Sequence, residues 1–234
     1  MFAIENLGLA DFYSKVLIIY NLDIYNLYMS AKTQYALLGL LNMSPMSGYD
    51  VKKMVDVGLS HFWNENYGQI YPALDLLVAE GLAEKFTGHG QGKRKRNTYS
   101  ITEKGQDAFR DWLSQPSSPI IIRNELQLKF FLSGKMPSEI SLQIIEKYRD
   151  QQNELLEDYL ESEIGLRQSV NSGEYPEEIE GVFPADKNME SPEEIIKQCH
   201  IFLLTLRHGI IALEGRIQWC DEVMNYFKQE GKTQ

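Results

Sequence analysis

The chain has 234 residues, of which 43% are hydrophobic and 11% aromatic, so it can build a substantial core. Its formal net charge is -10, and its longest apolar run near the N-terminus, Val16 to Tyr28, is interrupted well short of the roughly 20 residues that a membrane span needs. We expect a soluble protein with no membrane partner, and the lack of a basic leader together with only two cysteines favours a cytoplasmic location.

The first predicted elements are two helices. Residues 32–43 carry apolar side chains at helical spacing, and this helix should stop near Pro45. Ser47 is then a plausible N-cap for a short second helix over residues 48–57, which Gly58 can end.

A third helix is predicted from about Gln69 to Glu80, where apolar residues again recur at helical spacing. Proline is tolerated only in the first helical turn, where its missing N–H is not needed. Because Pro72 falls inside this segment, we expect the helix either to start late or to be kinked at this residue.

Two short strands follow, over residues 82–86 and 97–101, and a Gly-rich segment with four consecutive cations separates them. This pattern predicts a hairpin with a long basic tip, although the chain as a whole is acidic. Thr102 then opens a fourth helix that ends before Pro116. Three helices, a hairpin and a helix form the order of a winged helix-turn-helix.

The last segment of the chain shows a heptad pattern. One apolar row contains Ile196, Leu203, Ile210, Ile217 and Met224, and the other contains Cys199, Leu206, Leu213, Cys220 and Phe227. Such rows indicate a helix that packs along its length, on a helix of the same chain or on a partner chain. A preceding helix is predicted over residues 138–167, and the Glu- and Pro-rich residues 172–192 should join the two as an exposed loop.

The two cysteines belong to this last helix. Their separation of 21 residues corresponds to roughly 31 Å at about 1.5 Å per residue, so they cannot form a disulfide within it. We interpret Cys199 and Cys220 as packing residues, with redox sensing as the alternative.

Several motifs, taken in order, resemble the PadR family of bacterial transcriptional regulators. They are Tyr35-Ala-Leu-Leu-Gly-Leu-Leu, Ser47-Gly-Tyr-Asp-Val, Phe62-Trp, Tyr67-Gly-Gln-Ile-Tyr-Pro-Ala-Leu-Asp-Leu-Leu-Val-Ala-Glu-Gly-Leu and Tyr99-Ser-Ile-Thr-Glu-Lys-Gly. The run Arg123-Asn-Glu-Leu-Gln-Leu-Lys-Phe-Phe-Leu resembles the start of the helical C-terminal domain of longer members. The resemblance implies a mostly α-helical protein. It would have an N-terminal winged helix-turn-helix with a two-stranded wing over residues 31–115 and an α-helical dimerisation domain over residues 120–234.

Residues 1–30 are an extension that departs from the family pattern. PadR-like chains usually begin near the first helix, and Met29-Ser-Ala-Lys-Thr-Gln-Tyr is similar to such a beginning. The extension is then either an additional helix that packs on a partner or a product of a start codon that the cell does not use.

In a winged helix, the N-terminal residues of the third helix are expected at base edges in the major groove of double-stranded DNA. Gln69 is suited to bidentate contact with adenine, and Pro72 shares its outward face. Phosphate contacts are predicted for Tyr35, Ser47, Tyr49, Lys52, Tyr67 and Tyr71. For Tyr67 and Tyr71 the alternative is core packing.

The basic tip would form the end of the wing. Its four cations, Lys93, Arg94, Lys95 and Arg96, can contact phosphates or enter the minor groove. The alternative is a solubilising loop without a partner.

The resemblance also implies a homodimer and a small aromatic effector. The predicted dimerisation residues are Ile196, Cys199, Leu203, Leu206, Ile210, Leu213, Ile217, Cys220 and Met224. The candidate effector contacts are Trp63, Trp112, Phe130 and Phe131, for which ordinary core packing is the alternative.

No catalytic activity, metal or cofactor is expected, because the four histidines and two cysteines lack metal-ligand spacing and the chain has no GxSxG or phosphate-binding loop motif. We therefore expect a dimeric repressor that occupies a pseudo-palindromic operator and is released by a small effector. The alternative function is a winged-helix protein–protein interaction module, whose basic tip meets an acidic partner.

Overall fold

The computed structural model describes residues 32–63, 66–88, 96–119, 123–182 and 191–230. The chain divides into two compact units. Unit 1 comprises Met1–Gln115 with Gly181–Ala185, and unit 2 comprises Pro116–Glu180 with Asp186–Gln234. The predicted N-terminal extension lies outside the described residues.

The described part of unit 1 contains the predicted order of elements. Helix α1 covers residues 32–43, and α2, Gly48–Met54, continues as a short π-helix, Val55–Leu59. The remaining elements are β1 Met46–Ser47, α3 Tyr67–Ala79, β2 Ala83–Gly88, β3 Arg96–Ile101 and α4 Glu103–Ser114.

The three strands form an antiparallel sheet in the order β1-β3-β2. Strands β2 and β3 are the two-stranded wing that the sequence predicts, and Ala83 pairs with Ile101 at its base. The third strand was not predicted, because β1 is only two residues long and shows no alternation. It places Met46 opposite Tyr99, and both side chains are buried.

The core of unit 1 comes from the apolar faces of its helices. Leu37, Leu38 and Leu41 of α1, Val51 and Met54 of α2, and Ile70, Leu74 and Leu77 of α3 are all fully or almost fully buried. Their spacing of three and four residues places each set on one side of its helix. This burial holds the opposite, polar side of α3 toward solvent.

Helix α3 begins at Tyr67, two residues before the predicted start, and Pro72 lies inside it. Asn66 caps the helix, so of the two expected alternatives, a late start or a kink at Pro72, the late start was wrong. Pro72 has no N–H to donate to the carbonyl of Gly68 one turn earlier, which removes one bond from the exposed N-terminal turns.

The end of α3 and the start of α4 are joined tightly. Gly81 has a φ of 71° and ends α3, while the Thr102 hydroxyl donates to the Gly81 carbonyl at 2.8 Å and the Lys104 ammonium donates to the Glu80 carbonyl at 2.7 Å. A Cβ atom on Gly105 would collide with the backbone oxygen of Leu82. The close approach explains why glycine follows Thr102-Glu-Lys in this chain.

Unit 2 is helical in its described residues. Its elements are α5 Glu125–Leu132, a 3-10 turn Ser133–Lys135, α6 Ser138–Ser172, α7 Glu177–Glu180 and α8 Pro192–Glu230. Helices α6 and α8 are the longest and pack against each other. The short α7 falls within the segment that was predicted to be only a loop.

Polar bonds accompany the apolar packing between α6 and α8. The Arg149 guanidinium donates to the Asp221 carboxylate at 2.6 Å, and Arg216 donates to the Gln152 amide oxygen at 3.3 Å. The buried Glu163 carboxylate accepts from Arg207 of α8 at 3.5 Å, and also from Arg167 of its own helix at 2.6 Å. These bonds are directional, so they help to fix how α8 is aligned along α6.

Helix α8 has apolar residues on two opposite faces. Its inner face is buried in unit 2, and its outer face exposes Ile201, Leu204 and Ile211 to between 52% and 65%. By length and composition alone, the segment Pro192–Gln229 also meets the criteria for a membrane span, a test that core helices of soluble proteins pass as well. The inner face of α8 packs on α6, and most of its apolar residues are buried there.

Candidate nucleic-acid interface

The exposed side of α3 presents its N-terminal residues to solvent. Ile70 and Leu74 point into the core, whereas Gln69, Pro72 and Asp75 are exposed. The sequence predicts this separation into a buried and an exposed face for a helix that contacts bases in the major groove.

Gln69 has a second role at the start of α3. Its side-chain oxygen accepts a hydrogen bond from the Asn66 backbone N–H at 3.0 Å, while the Asn66 side chain caps the N–H of Gln69. This reciprocal arrangement is a capping box. A bidentate contact with adenine would therefore have to share the Gln69 oxygen with the helix cap, and only the amide NH2 group is free of this bond.

Two tyrosines form a stacked pair on the same side of unit 1. The rings of Tyr67 and Tyr71 lie 6.1 Å apart at 19°, and each side chain is almost half exposed. The Lys52 ammonium lies 6.0 Å from the centre of the Tyr67 ring and pairs with Asp56. The two tyrosines are on the surface, as a phosphate contact requires, and so is Tyr49, which is 61% exposed. The Lys52 side chain is only 16% exposed.

Gly48 permits the close approach of α2 to Tyr71. A Cβ atom on Gly48 would lie 2.5 Å from Cε1 of the Tyr71 ring. The glycine that follows Ser47 therefore fixes how near α2 lies to the exposed face of α3.

Two predicted phosphate contacts are placed differently. The Ser47 side chain is only 4% exposed, and its hydroxyl donates to the Asp50 carboxylate at 2.7 Å and accepts from the Asp50 N–H at 3.3 Å, which completes the capping box of α2. Tyr35 stacks on Trp112 with ring centres 5.1 Å apart and nearly parallel. Ser47 is thus a buried helix cap, and Tyr35 belongs to the packing of α1 on α4.

A salt bridge joins α3 to the wing. The Lys85 ammonium donates to the Asp75 carboxylate at 3.3 Å and lies 5.4 Å from the centre of the Tyr99 ring. Hydrogen bonding to Tyr99 first, and to Asp75 second, raises the pKa of Lys85 above its ordinary value. The ammonium therefore stays protonated and offsets the one carboxylate on this part of α3.

The wing strands lead to the predicted basic tip. Gly88 pairs with Arg96 at the last described position of the hairpin, and Thr87 donates to Asn97 at 3.2 Å just below it. The side chains of Lys93, Arg94 and Lys95 lie outside the described residues, and for Arg96 only the backbone position is described. The two described strands of the hairpin therefore flank this cluster in the chain. The DNA contacts of the cluster stay predictions.

The predicted dimerisation row lies on the inner face of α8. Cys199, Leu203, Leu206, Ile210, Leu213 and Cys220 are buried in unit 2, while Ile196, Ile217 and Met224 are half-buried. The heptad pattern thus describes packing within one chain, which was the alternative to a partner helix.

The four candidate effector contacts are divided between the two units. Trp63 and Trp112 lie in unit 1, where Trp112 stacks on Tyr35 and Phe109. Phe130 and Phe131 lie in unit 2 and line an open cleft of about 620 Å³.

Two further aromatic residues, Trp219 and Phe227, line the same cleft, and the Phe130 and Trp219 rings meet edge to face at 5.5 Å. Sequence reasoning missed Trp219, since it falls outside the heptad rows. Its spacing of eight residues from Phe227, a little over two helical turns, is a signal that could have linked them.

Within residues 32–63, 66–88, 96–119, 123–182 and 191–230, no group of three or more His, Cys, Asp or Glu side chains could hold a metal ion. In unit 1, the exposed face of α3 lies beside the hairpin of β2 and β3. Three helices followed by such a hairpin define a winged helix-turn-helix, a class of fold that presents its third helix to nucleic acid.

Two family descriptions match successive parts of the chain. Residues 37–111 match the Transcriptional regulator PadR-like family, and residues 122–228 match Virulence activator alpha C-term. Over residues 37–111 the chain is therefore similar to PadR-like transcriptional regulators, the family that its motifs resemble.

One curated relative is the negative transcriptional regulator PadR of Bacillus subtilis (strain 168). It is 35% identical over 111 residues, which are 46% of this chain and 60% of the relative. The chain thus spans less than two thirds of the length of this curated relative.

Solved structures share the fold. The crystal structure of B. subtilis PadR in complex with operator DNA has a TM-score of 0.66 at 22% identity, over 82% of this chain and 96% of that one. The complex of the same protein with p-coumaric acid has a TM-score of 0.57 at 21% identity, over 83% and 94%. The Vibrio cholerae virulence activator AphA has a TM-score of 0.52 at 26% identity, over 85% and 99%.

Proposed function

We propose that this protein is a homodimeric, cytoplasmic, DNA-binding regulator that represses transcription by occupying a two-fold symmetric operator. The observation that carries the proposal is the exposed N-terminal face of α3, which lies beside a wing that leads into four consecutive cations. The cations would supply affinity through phosphate contacts, and α3 would supply sequence choice. The proposal assigns no catalytic step.

The operator contacts of this proposal differ in part from those expected from the sequence. Tyr49, Lys52, Tyr67 and Tyr71 are the side chains around α3 that would contact phosphates, and the Gln69 amide would contact a base. Ser47 would support DNA binding only indirectly, by capping α2. Tyr35 would do so by packing α1 on α4.

The dimer contact is proposed for the outer face of α8. Leu204 is 65% exposed and Ile211 59%, and these residues lie seven positions apart on one side of the helix. Burying these two apolar side chains against a partner chain would be favourable. A dimer would also place two copies of α3 at successive major grooves, about 34 Å apart.

Release by a small aromatic effector is part of the proposal. Its support is that a relative of this fold has been solved with p-coumaric acid, and that Phe130 and Phe131 line an open cleft in this chain.

The test is DNA binding by the full chain. We would measure fluorescence anisotropy with a duplex from the region upstream of the protein's own gene and with a shuffled duplex of the same composition. The proposal expects tighter binding to the first duplex and a two-fold symmetric footprint. The interaction-module alternative expects a different result. The affinity would then be equal for the two duplexes and insensitive to salt, and the protein would bind an acidic protein partner.

The dimer is tested separately by sedimentation. The wild-type chain should sediment at twice its 27.0 kDa mass at micromolar concentration. Leu204→Glu should shift the protein toward the monomer, whereas Leu113→Glu, the same change at a 61% exposed leucine of unit 1, should not. Monomeric wild-type protein would contradict the dimer.

A further inference from the structure

We infer that the apolar N-terminal segment, residues 1–28, docks on the exposed end of α4 in its own chain, beside the start of α1. The surface that would receive it is a cluster of apolar side chains that we call the α4 end patch, formed by Tyr35, Phe109, Trp112 and Leu113. The inference concerns a contact within one chain and does not depend on DNA binding, so it can be tested separately from the proposed function.

Helices α1 and α4 lie side by side and run in opposite directions. The Tyr35 ring stacks on Trp112 with ring centres 5.1 Å apart. A Cβ atom on Gly39, one turn later in α1, would lie 3.1 Å from the Phe109 ring, one turn earlier in α4. The start of α1 therefore lies beside the end of α4, and the chain that precedes α1 enters the fold next to the α4 end patch.

The end of α4 is open to solvent in the described part of the chain. Residues 110–114 are all exposed, with Trp112 at 39% and Leu113 at 61%. By contrast, none of residues 32–41 of α1 is exposed. A helix that is covered on all sides belongs to the core of its domain. The α4 end patch is therefore an apolar edge of the core of unit 1 that the described residues leave uncovered.

The chain holds an occupant of matching chemistry directly before α1. Of residues 1–31, 21 are hydrophobic, which is about two thirds, against 43% of the whole chain. The same residues carry one cation, Lys15, and three carboxylates, at Glu5, Asp11 and Asp23. Burial of apolar surface is the dominant favourable term in folding and association, so a segment of this composition favours contact with an apolar surface.

The attachment of the segment favours the α4 end patch over other apolar surfaces. Four peptide units join residue 28 to residue 32, so the end of the segment stays within about 14 Å of the start of α1. A segment on so short a tether meets a neighbouring surface at an effective concentration on the order of millimolar. A separate chain at micromolar concentration does not reach this value, and the contact therefore forms within the chain.

Cysteine labelling of the full chain tests whether the α4 end patch is covered. Leu113→Cys adds a thiol at the patch, and the native Cys199 and Cys220 are buried. Phe86→Cys makes the matched change at a 53% exposed residue of the wing. Relative to the same variants in urea, a maleimide should label Leu113→Cys at least about tenfold more slowly than Phe86→Cys, because labelling requires the segment to open. Equal relative rates would overturn the inference.

Two pairs of substitutions assign the protection to the segment. Leu17→Asp with Ile19→Asp places two charges on apolar residues, and docked carboxylates would lose hydration. This pair should therefore raise the labelling rate of Leu113→Cys by about tenfold. Asn21→Asp with Asn26→Asp adds the same charge at polar residues of the segment and should leave labelling slow. A labelling rate that responds to neither pair, or equally to both, would overturn the inference.

Trypsin gives a second readout that needs no added cysteine. Lys15 is the only Lys or Arg in residues 1–31, so cleavage there gives one defined product, residues 16–234. By intact mass, Leu113→Asp should speed this cleavage by about tenfold, whereas Phe86→Asp should not. Equal rates in the wild-type and Leu113→Asp proteins would contradict the docking. Fast cleavage of the wild type that only phosphatidylglycerol vesicles suppress would assign the segment to a lipid surface and would contradict it as well.

Dilution distinguishes a contact within one chain from a contact between chains. Protection of Leu113→Cys and of the Lys15 site should be the same at micromolar and at nanomolar protein. Protection that is lost on dilution would assign the segment to a partner chain and overturn the inference. Protein that keeps the protection but binds no DNA would contradict the proposed function alone. Protein that binds operator DNA with an unprotected patch would contradict the docking alone.

Discussion

The Lys85 ammonium lies 3.3 Å from the Asp75 carboxylate and joins the wing to the exposed face of α3. Asp75 is 65% exposed at its side chain, so it places a negative charge on the surface that we propose for DNA. Lys85 offsets this charge and is itself held by Tyr99, on the neighbouring strand. The pair therefore limits how strongly the surface attracts phosphates in general.

Asp75→Asn should increase DNA affinity and its dependence on salt. The change removes a repulsive charge and frees Lys85 for a phosphate, so the slope of log K against log salt should steepen by up to roughly 0.9 per half-site. Anisotropy titrations at several salt concentrations measure the slope. Asp107→Asn, which removes a carboxylate paired with Arg110 on α4, is the control. If both variants had the same slope, the Asp75 and Lys85 pair would have no role at the interface.

Gln69→Glu should separate base reading from helix capping. A glutamate keeps an oxygen that accepts from the Asn66 N–H, so α3 should stay capped and unit 1 should unfold at an unchanged urea concentration. The amide donor is lost, and discrimination between the operator and shuffled DNA should fall by about 1–3 kcal/mol per half-site.

Gln69→Ala should lose both the base contact and the cap of α3. Loss of the cap should lower the free energy of unfolding by about 1 kcal/mol. Preserved operator preference in Gln69→Glu would show that this side chain acts only as a cap.

Gly105→Ala should destabilise unit 1 by about 1–3 kcal/mol, because the new methyl group would collide with the Leu82 backbone oxygen and would have to move α4 or the chain before β2. Gly58→Ala is the matched control, since its Cβ atom would meet no described atom within 4 Å. Urea unfolding followed by circular dichroism gives both free energies. A Gly105→Ala protein as stable as the control would show that the close approach is easily relieved.

Both cysteines should react slowly with a disulfide reagent such as DTNB at pH 8. Cys199 and Cys220 are fully buried, and the thiolate is the reactive form. Burial, with a smaller effect of Asp221, raises the pKa of Cys220 and so lowers its thiolate fraction at a given pH. Unfolding in guanidinium should release two rapidly reacting thiols. Fast reaction of either thiol in the native protein would favour the redox alternative over packing.

The sequence predicts the winged helix well because each of its elements has a local signal. Helical spacing, the Ser47 and Thr102 caps and Gly81 lie within the segments that they organise, and the structure has these elements in the predicted order. Strand β1 has no such signal, since its two residues form a strand only by pairing with β3.

Other features depend on contacts that a periodic pattern does not encode. The heptad rows of α8 predict burial correctly but cannot tell which helix covers them, and the structure shows α6 of the same chain. The outer residues Ile201, Leu204 and Ile211 form no comparable heptad row, and their exposure shows that α6 does not cover them. Trp219 likewise contacts the candidate effector residue Phe130 only because the fold brings α8 beside α5.

The most direct test of DNA binding through α3 and the wing is the salt dependence of operator affinity in the double variant Lys93→Ala and Arg94→Ala. Up to four phosphate contacts would be lost in a dimer, so the slope of log K against log salt should flatten by up to roughly 3.6. Lys147→Ala with Lys228→Ala removes the same charge from exposed positions of unit 2 and should leave the slope nearly unchanged. A wing variant with the wild-type slope would contradict the account.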